Sequence, residues 1–544
     1  MKITFKNIEF FAVILLFLAG LYIWTLPIQT NPYPFGDVDA SSHFTIGDYI
    51  VSGDKSIKEI PYPVTFRYYG QNNLLPSYLW YPPQFWVNTG IAQILGGQRI
   101  FPVFVYIAIS GLLIILTSYI LIRNLFGFWP AFLSSLLLIF SARDYMIYLW
   151  GQWPQSMSYA LTPLVIYSFY AYYKSLKEDN QKPIYIYLAG ILMAGQFFFH
   201  PQGMIASIAT MAVFCLIISI KNRKLPFKIK HILIGIVLLA LVAGLLAPFN
   251  VGEFFFEMTH GGESGAGKGI QLDKLFDWYH VKKDAGLPDF YFAFKNVHGS
   301  LVPLDLSKGL WRIFGENLLY WTLPLISIGI IFLLMRRKDE DYILIGWLVS
   351  YYFLTRLTVI GMGSRDIRMF AFEAHIFYPL AALGILSLPS FFKGEKLRTY
   401  LKFGAIGIFI FLTIYVNGNS AYTVLKQQSN SIGRINTYQL ESAEWMMKNL
   451  PEKADILDIG TVGFQDYSAK IKWLMALSQR HFIINDYEKN GTDYVYFDYS
   501  DGILLRNQQY VDGIKSMEQQ FANNTVIYDK NYIKIYKVEN GLQI

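Results

Sequence analysis

The chain has 544 residues, of which 53% are hydrophobic, 17% aromatic and only 16% charged, with a formal net charge of +7. So few charges beside so much apolar surface exclude an ordinary soluble protein. The positive excess is that of cytoplasmic membrane loops rather than of a nucleic-acid partner, and the one cysteine, Cys215, lies in an apolar stretch and leaves no intrachain disulfide.

The first apolar run, residues 8–27, is followed directly by TLPIQTNPYPF. No small-residue cleavage site intervenes, so it reads as an uncleaved first helix rather than a signal peptide. A helix crosses the bilayer core with about 20 apolar residues. By that measure about eleven helices are expected, near 8–27, 101–122, 128–141, 155–173, 184–199, 203–220, 231–248, 319–335, 342–358, 369–389 and 401–417. Basic residues supply an independent check. Lys2 and Lys6 precede the first helix, Arg123 follows the second, and Lys174, Lys177 and Lys182 follow the fourth. KNRKLPFKIK follows the sixth, MRRK the eighth and KGEKLR the tenth. If the helices alternate, all of these share one side, which the positive-inside rule makes cytoplasmic. The expectation is a multi-pass cell-membrane protein with its N-terminus inside and its C-terminal domain outside.

Four segments then lie outside: the loop 28–100, the link 142–154, the loop 249–318 and the tail after 418. Within the first, PPQFWVNTGIAQIL has the pattern of an amphipathic helix lying on the membrane surface. From about residue 430 polar residues increase, and DILDIG, HFIIN, DYVYFDY, NTVIYD and YIKIYKV alternate with helical patterns such as ESAEWMMKNL. DKN, between the last two strands, reads as a hairpin turn. The division is therefore a membrane module, 1–429, and a small extracytoplasmic α/β domain, 430–544. Sequons at Asn490 and Asn524 are compatible with that side. No internal repeat is visible, and the paired interrupted helices of an inverted-repeat transporter are absent from the sequence.

Chemistry-bearing residues cluster at the outer ends. GDVDASSHF, residues 36–44, places Asp37 and Asp39 two apart and His43 one helical turn after Asp39. A carboxylate there can accept a proton from a hydroxyl or help hold a divalent cation; it can equally cap an interfacial helix. SARDYMIYLWGQWPQ, residues 141–155, carries Arg143, Asp144, Trp150 and Gln152. Arg143 and Asp144 can pair at a membrane edge, while the rings and the amide suit a sugar. FFFHPQG places His200 and Gln202 at a further outer turn. GSRDIRMFAFEAHIFYP, residues 363–379, puts Arg365 and Arg368 at the outer end of the tenth helix, with Glu373 and His375 deeper. Ionisable groups in an apolar helix face a bundle interior or an aqueous cavity, and guanidinium grips phosphate oxygens as a fork. GGESGAGKG, residues 261–269, is rejected as a phosphate loop because Gly269 replaces the hydroxyl that ligates magnesium. Neither ATP nor nucleic acid is expected as a partner. Glu253, Glu257 and His260 precede that segment as minor candidates for ligands.

The layout resembles the GT-C superfamily of membrane glycosyltransferases: a first helix, a long outer loop opening on GDVDASSHF, many further helices and an outer soluble domain. The resemblance implies a mainly α, polytopic helix bundle of GT-C type with a small C-terminal α/β domain. It implies transfer of a sugar from a polyprenyl- or dolichyl-phosphate donor to a hydroxyl of a glycan, lipid or protein acceptor, at the bilayer surface and with inversion. Asp39 and Asp37 take the catalytic place, and they are the ligands of Mg²⁺ or Mn²⁺ if a metal serves. Arg365 and Arg368 take the donor phosphate. His43, Arg143, Asp144, Trp150, Gln152, His200, Gln202, Glu373 and His375 are left as substrate-binding candidates. The chain departs from the oligosaccharyltransferase branch in lacking a WWDYG-like motif, GFQDYS (463–468) being a poor echo. It departs from the protein mannosyltransferases in having a spaced Asp-Val-Asp for their paired Asp-Glu. En bloc oligosaccharide transfer, a transporter or lipid flippase, and a non-catalytic scaffold are the competing readings.

Overall fold

The computed structural model describes residues 5–52, 83–246, 321–354, 374–431, 433–461, 467–483 and 492–539. Two units are distinguished by their internal contacts. One comprises residues 1–24, 108–147 and 153–425; the other comprises 25–107, 148–152 and 426–544.

The first unit is helical. Each of the eleven expected spans corresponds to a helix, from Phe5–Trp24 and Phe101–Phe126 to Ala374–Ser387 and Glu395–Leu412. Among the described residues, five helices are long and apolar enough to cross a membrane, and four shorter ones are apolar. The chain is a membrane protein of mainly helical fold. Small residues let helix backbones approach where no apolar driving force separates lipid from protein. A Cβ on Gly329 would stand 2.1 Å from the Leu380 carbonyl oxygen, and one on Gly384 would stand 1.9 Å from that of Leu325. The Thr322–Arg336 and Ala374–Ser387 helices thus cross at a double glycine contact. Thr210 and Ser350 share a buried hydroxyl bond of 2.9 Å between Pro201–Asn222 and Asp339–Leu354. Lys177 and Lys221 both reach Asp339, at 2.8 and 3.0 Å. Three helix ends expected on one side therefore meet there.

One difference from the sequence reading concerns 142–154. That expected link is largely helical, as Ala142–Trp150, turning at Gly151 and continuing as Trp153–Ala160.

The second unit contains a five-stranded sheet of order β2-β1-β3-β5-β4, with β1 Asp455–Ile459, β2 His481–Ile483, β3 Tyr494–Asp498, β4 Thr525–Lys530 and β5 Ile533–Lys537. The first three strands are parallel and buried, whereas β5 and β4 run antiparallel. The hairpin expected at DKN turns on Asn531 and Tyr532, both with positive φ, the turn geometry that matches strand twist. Leu457, Val495, Phe497, Ile514 and Phe521 form the core under the sheet. Asn436 starts the Thr437–Asn449 helix with a capping box closed by Gln439. The surface helix expected at PPQFW is Gln84–Gly96. It buries Phe85, Trp86 and Gln93 and leaves Ile91, Ile94 and Leu95 exposed.

Candidate functional site

Two constellations carry the ionisable groups, one in each unit. In the second unit the acidic turn is built on Gly36, whose φ of +114° lies where a side chain would strain the backbone. The chain then enters the Val38–Ser52 helix, with Asp39 in its first turn, where the positive end of the helix dipole favours a carboxylate. Asp37 and Asp39 are both half-buried. The Asp37 amide donates to the Leu149 carbonyl at 3.1 Å. Gly151, with φ +84°, is needed twice: a Cβ there would lie 2.0 Å from the Ala40 nitrogen. Trp150 and Gln152, on either side of it, are buried. The turn that carries them is therefore laid against the acidic turn.

The C-terminal domain grips the same turn. Arg434 donates through Nη1 to the Asn31 carbonyl at 3.0 Å and to that of Tyr33, and through Nη2 to that of Pro27 at 2.9 Å. Its guanidinium also lies over the Phe35 ring. The Ile435 amide donates to the Pro34 carbonyl. Trp473 Nε1 donates to the Gly36 carbonyl at 2.9 Å, and its rings pack on Phe44 and Phe104. Beside Trp473, Lys472 is 7% exposed. Burial pulls its ammonium down to about 8, against the opposing pull of Asp37 and Asp39, which favour the charge. Burial also lowers Arg434, to about 10.

His43 lies one turn beyond Asp39 but is buried, and its Nδ1 accepts the Trp86 indole N–H at 3.0 Å. The ring is thereby held against Phe85 and Trp86.

In the first unit, His375 Nε2 meets Asp144 Oδ1 at 2.8 Å, both side chains being 2% exposed. Asp144 Oδ1 thus meets a partner 231 positions away. Arg143 falls on the same Ala142–Trp150 helix. His200 caps the Pro201–Asn222 helix, its Nδ1 accepting the Gln202 amide at 3.2 Å. Gln202 Oε1 accepts from Gln155 Nε2 at 2.6 Å. Ser158, Gln196 and Ser207 continue as a buried polar network around the same turn. Arg365, Arg368 and Glu373 lie outside the described residues, as do the loop 249–318 and Asn490.

Lys472, Arg434, Trp473, Trp86 and Gln155 were not singled out from sequence. Lys472 sits in AKIKWLMALS, where one lysine among apolar residues gives no local sign of its partners. A divalent metal fits the acidic turn poorly. Hard cations collect several oxygen ligands, whereas no three His, Cys, Asp or Glu residues converge among the described residues, and the charges of Asp37 and Asp39 already favour the ammonium of Lys472.

Comparison with known proteins gives the class first. The chain has the fold of the GT-C membrane glycosyltransferases. The archaeal oligosaccharyltransferase AglB from Archaeoglobus fulgidus, solved with an inhibitory peptide and a dolichol-phosphate, matches with a TM-score of 0.55 at 13% identity, over 98% of this chain and 74% of that one. The same organism's oligosaccharyltransferase in its apo form matches with a TM-score of 0.53 at 15% identity, over 93% and 68%. ArnT from Cupriavidus metallidurans, bound to undecaprenyl phosphate, matches with a TM-score of 0.55 at 11% identity, over 96% and 97%. No curated protein sequence matches the chain. Residues 103–378 match the model of a family of unknown function, DUF6541, and the chain belongs to that family.

Proposed function

We propose that this protein is a membrane glycosyltransferase that moves a sugar from a polyprenyl- or dolichyl-phosphate carrier to an acceptor hydroxyl on the extracytoplasmic face. The observation that carries the reading is the acidic turn. Two half-exposed carboxylates stand at a helix N-terminus, between a buried tryptophan–glutamine turn and a clamp from the C-terminal domain. The GT-C fold supports it, and so do the dolichol-phosphate bound by AglB and the undecaprenyl phosphate bound by ArnT.

Asp39 takes the proton of the acceptor hydroxyl. The hydroxyl oxygen attacks the anomeric carbon from the face opposite the phosphate, a new C–O bond forms, and the old anomeric C–O bond breaks. The lipid phosphate leaves with the bonding pair, so the sugar inverts. Arg365 and Arg368, on sequence grounds, receive the charge of the leaving phosphate.

The test is transfer from a radiolabelled lipid-phosphate sugar by the purified chain in nanodiscs. Asp39→Asn is expected to lose about a thousandfold, as general bases do. Full transfer by a normally folded Asp39→Asn protein removes Asp39 from the mechanism. Counter-ion-driven movement of substrate in vesicles, without any transfer, would replace the reading by transport.

A further inference from the structure

We propose that Lys472 is the built-in cation of the acidic turn, standing beside Asp37 and Asp39 in the electrostatic place of a divalent metal, and that the C-terminal domain is thereby part of the site. The inference rests on the proposed transfer only for its activity readout; its metal-binding readout stands alone.

The geometry comes from the helix Tyr467–Ser478, which packs on the helix Val38–Ser52. The Trp473 indole donates to the carbonyl of Gly36, the residue immediately before Asp37. That bond ties the neighbouring Lys472 to the acidic turn. Arg434 and Ile435 bind the backbone on the approach to the same turn, at Pro27, Asn31, Tyr33 and Pro34. The turn is therefore held from the C-terminal domain by five hydrogen bonds to its backbone, and the lysine is delivered with them.

The electrostatics point the same way. An ammonium taken out of water costs several kcal/mol unless an opposite charge compensates it. Asp37 and Asp39 supply the charges that favour the ammonium of Lys472. Two carboxylates so close in sequence repel each other, and one fixed positive charge offsets that repulsion without recruiting an ion. A divalent cation entering the same place would be repelled by the ammonium, since like charges are costly in a partly dry site. Among the described residues the donor set is also short of what such an ion requires. In the proposed reaction the fixed charge has a second use. It keeps the acidic turn from repelling the anionic phosphate of the lipid carrier as the acceptor oxygen approaches.

The experiment uses the full chain in nanodiscs and reads Mn²⁺ binding by the loss of the free-ion paramagnetic signal, with sugar transfer measured in parallel. Wild type and Lys472→Arg are expected to show no Mn²⁺ binding that depends on Asp39. Their transfer is expected to be indifferent to EDTA and to agree within about tenfold. Lys472→Met is expected to lose transfer by about a hundredfold or more and to acquire Mn²⁺ binding that Asp39→Asn abolishes. Mn²⁺ binding by the wild type that disappears in Asp39→Asn overturns the proposal. So does a Lys472→Met protein that remains as indifferent to Mn²⁺ as the wild type. If Lys472→Met does not fold, the wild-type and Lys472→Arg titrations still decide. If no lipid-phosphate sugar is transferred by the wild type, the glycosyltransferase reading fails while the Mn²⁺ titrations continue to test the cation.

Discussion

In the membrane unit, the Asp144 carboxylate meets the His375 ring at 2.8 Å with both side chains almost wholly buried. In the second unit, Asp37 and Asp39 remain half-exposed, and their charges favour the ammonium of the buried Lys472. The contrast follows from the surroundings. The membrane unit presents Phe10, Leu15, Ile220 and Leu245 on its outside and keeps Ser158, Gln196 and Ser207 within. Any ionisable group there must find its partner inside the helix bundle, because lipid supplies none. The second unit has a conventional apolar core under its sheet, and its acidic turn keeps both carboxylates half-exposed. A buried, paired carboxylate is an economical way to lock helices together. A half-exposed one with a fixed cation beside it is a better candidate for proton transfer.

That distinction can be broken by substitution. The largest effect is expected at the acidic turn, where Asp39→Asn should reduce transfer by about a thousandfold with little change in melting temperature. His375→Ala should do the reverse. It leaves a buried carboxylate without its ring partner and should cost about 3 kcal/mol of stability, read from thermal unfolding in nanodiscs. If His375→Ala abolished transfer while leaving stability intact, the two clusters would have exchanged roles.

Arg434→Ala sharpens the comparison from the other side. Three backbone carbonyls lose their donor, at a cost of about 2 kcal/mol. Proteolysis near residues 27–36 should accelerate, and transfer should fall because the turn is no longer held. The smallest effect on transfer is expected from Asp458, at the end of β1. Burial pushes its carboxyl up to about 8, and Thr461 donates to it. The folded value lies above the unfolded carboxylate value of about 4, so the folded chain carries the extra proton. Stability from this group is therefore lost as pH rises from about 4 towards about 8. Asp458→Asn, which keeps the group neutral, should flatten that decline in the melting temperature of the full chain.

Much of the fold was legible without coordinates. Apolar runs and loop charges predicted the helices because a bilayer requires long apolar segments and orients basic residues. The meeting of Lys177 and Lys221 at Asp339 agrees with the side that the charges assigned to those loops. The strands and the hairpin were legible because alternation and turn residues are local signals. Segment 142–154 was misread as a link because nine helical residues are too few to give a periodic signal on their own.

The candidate site was legible only in part. GDVDASSHF identified itself by residue type and by its place after the first helix. The partners of its members did not. Asp144 and His375 are 231 positions apart, Trp473 and Gly36 are 437 apart, and Arg434 reaches carbonyls more than 400 positions earlier. Sequence by itself determined which segments are apolar enough to form membrane helices and which carboxylates follow the first of them, because both are set by local hydrophobicity and local chemistry. Tertiary structure alone decided which C-terminal side chains hold the turn that carries those carboxylates and which histidine closes on Asp144. Such pairings depend on loop closure over hundreds of residues, and no short-range pattern encodes it.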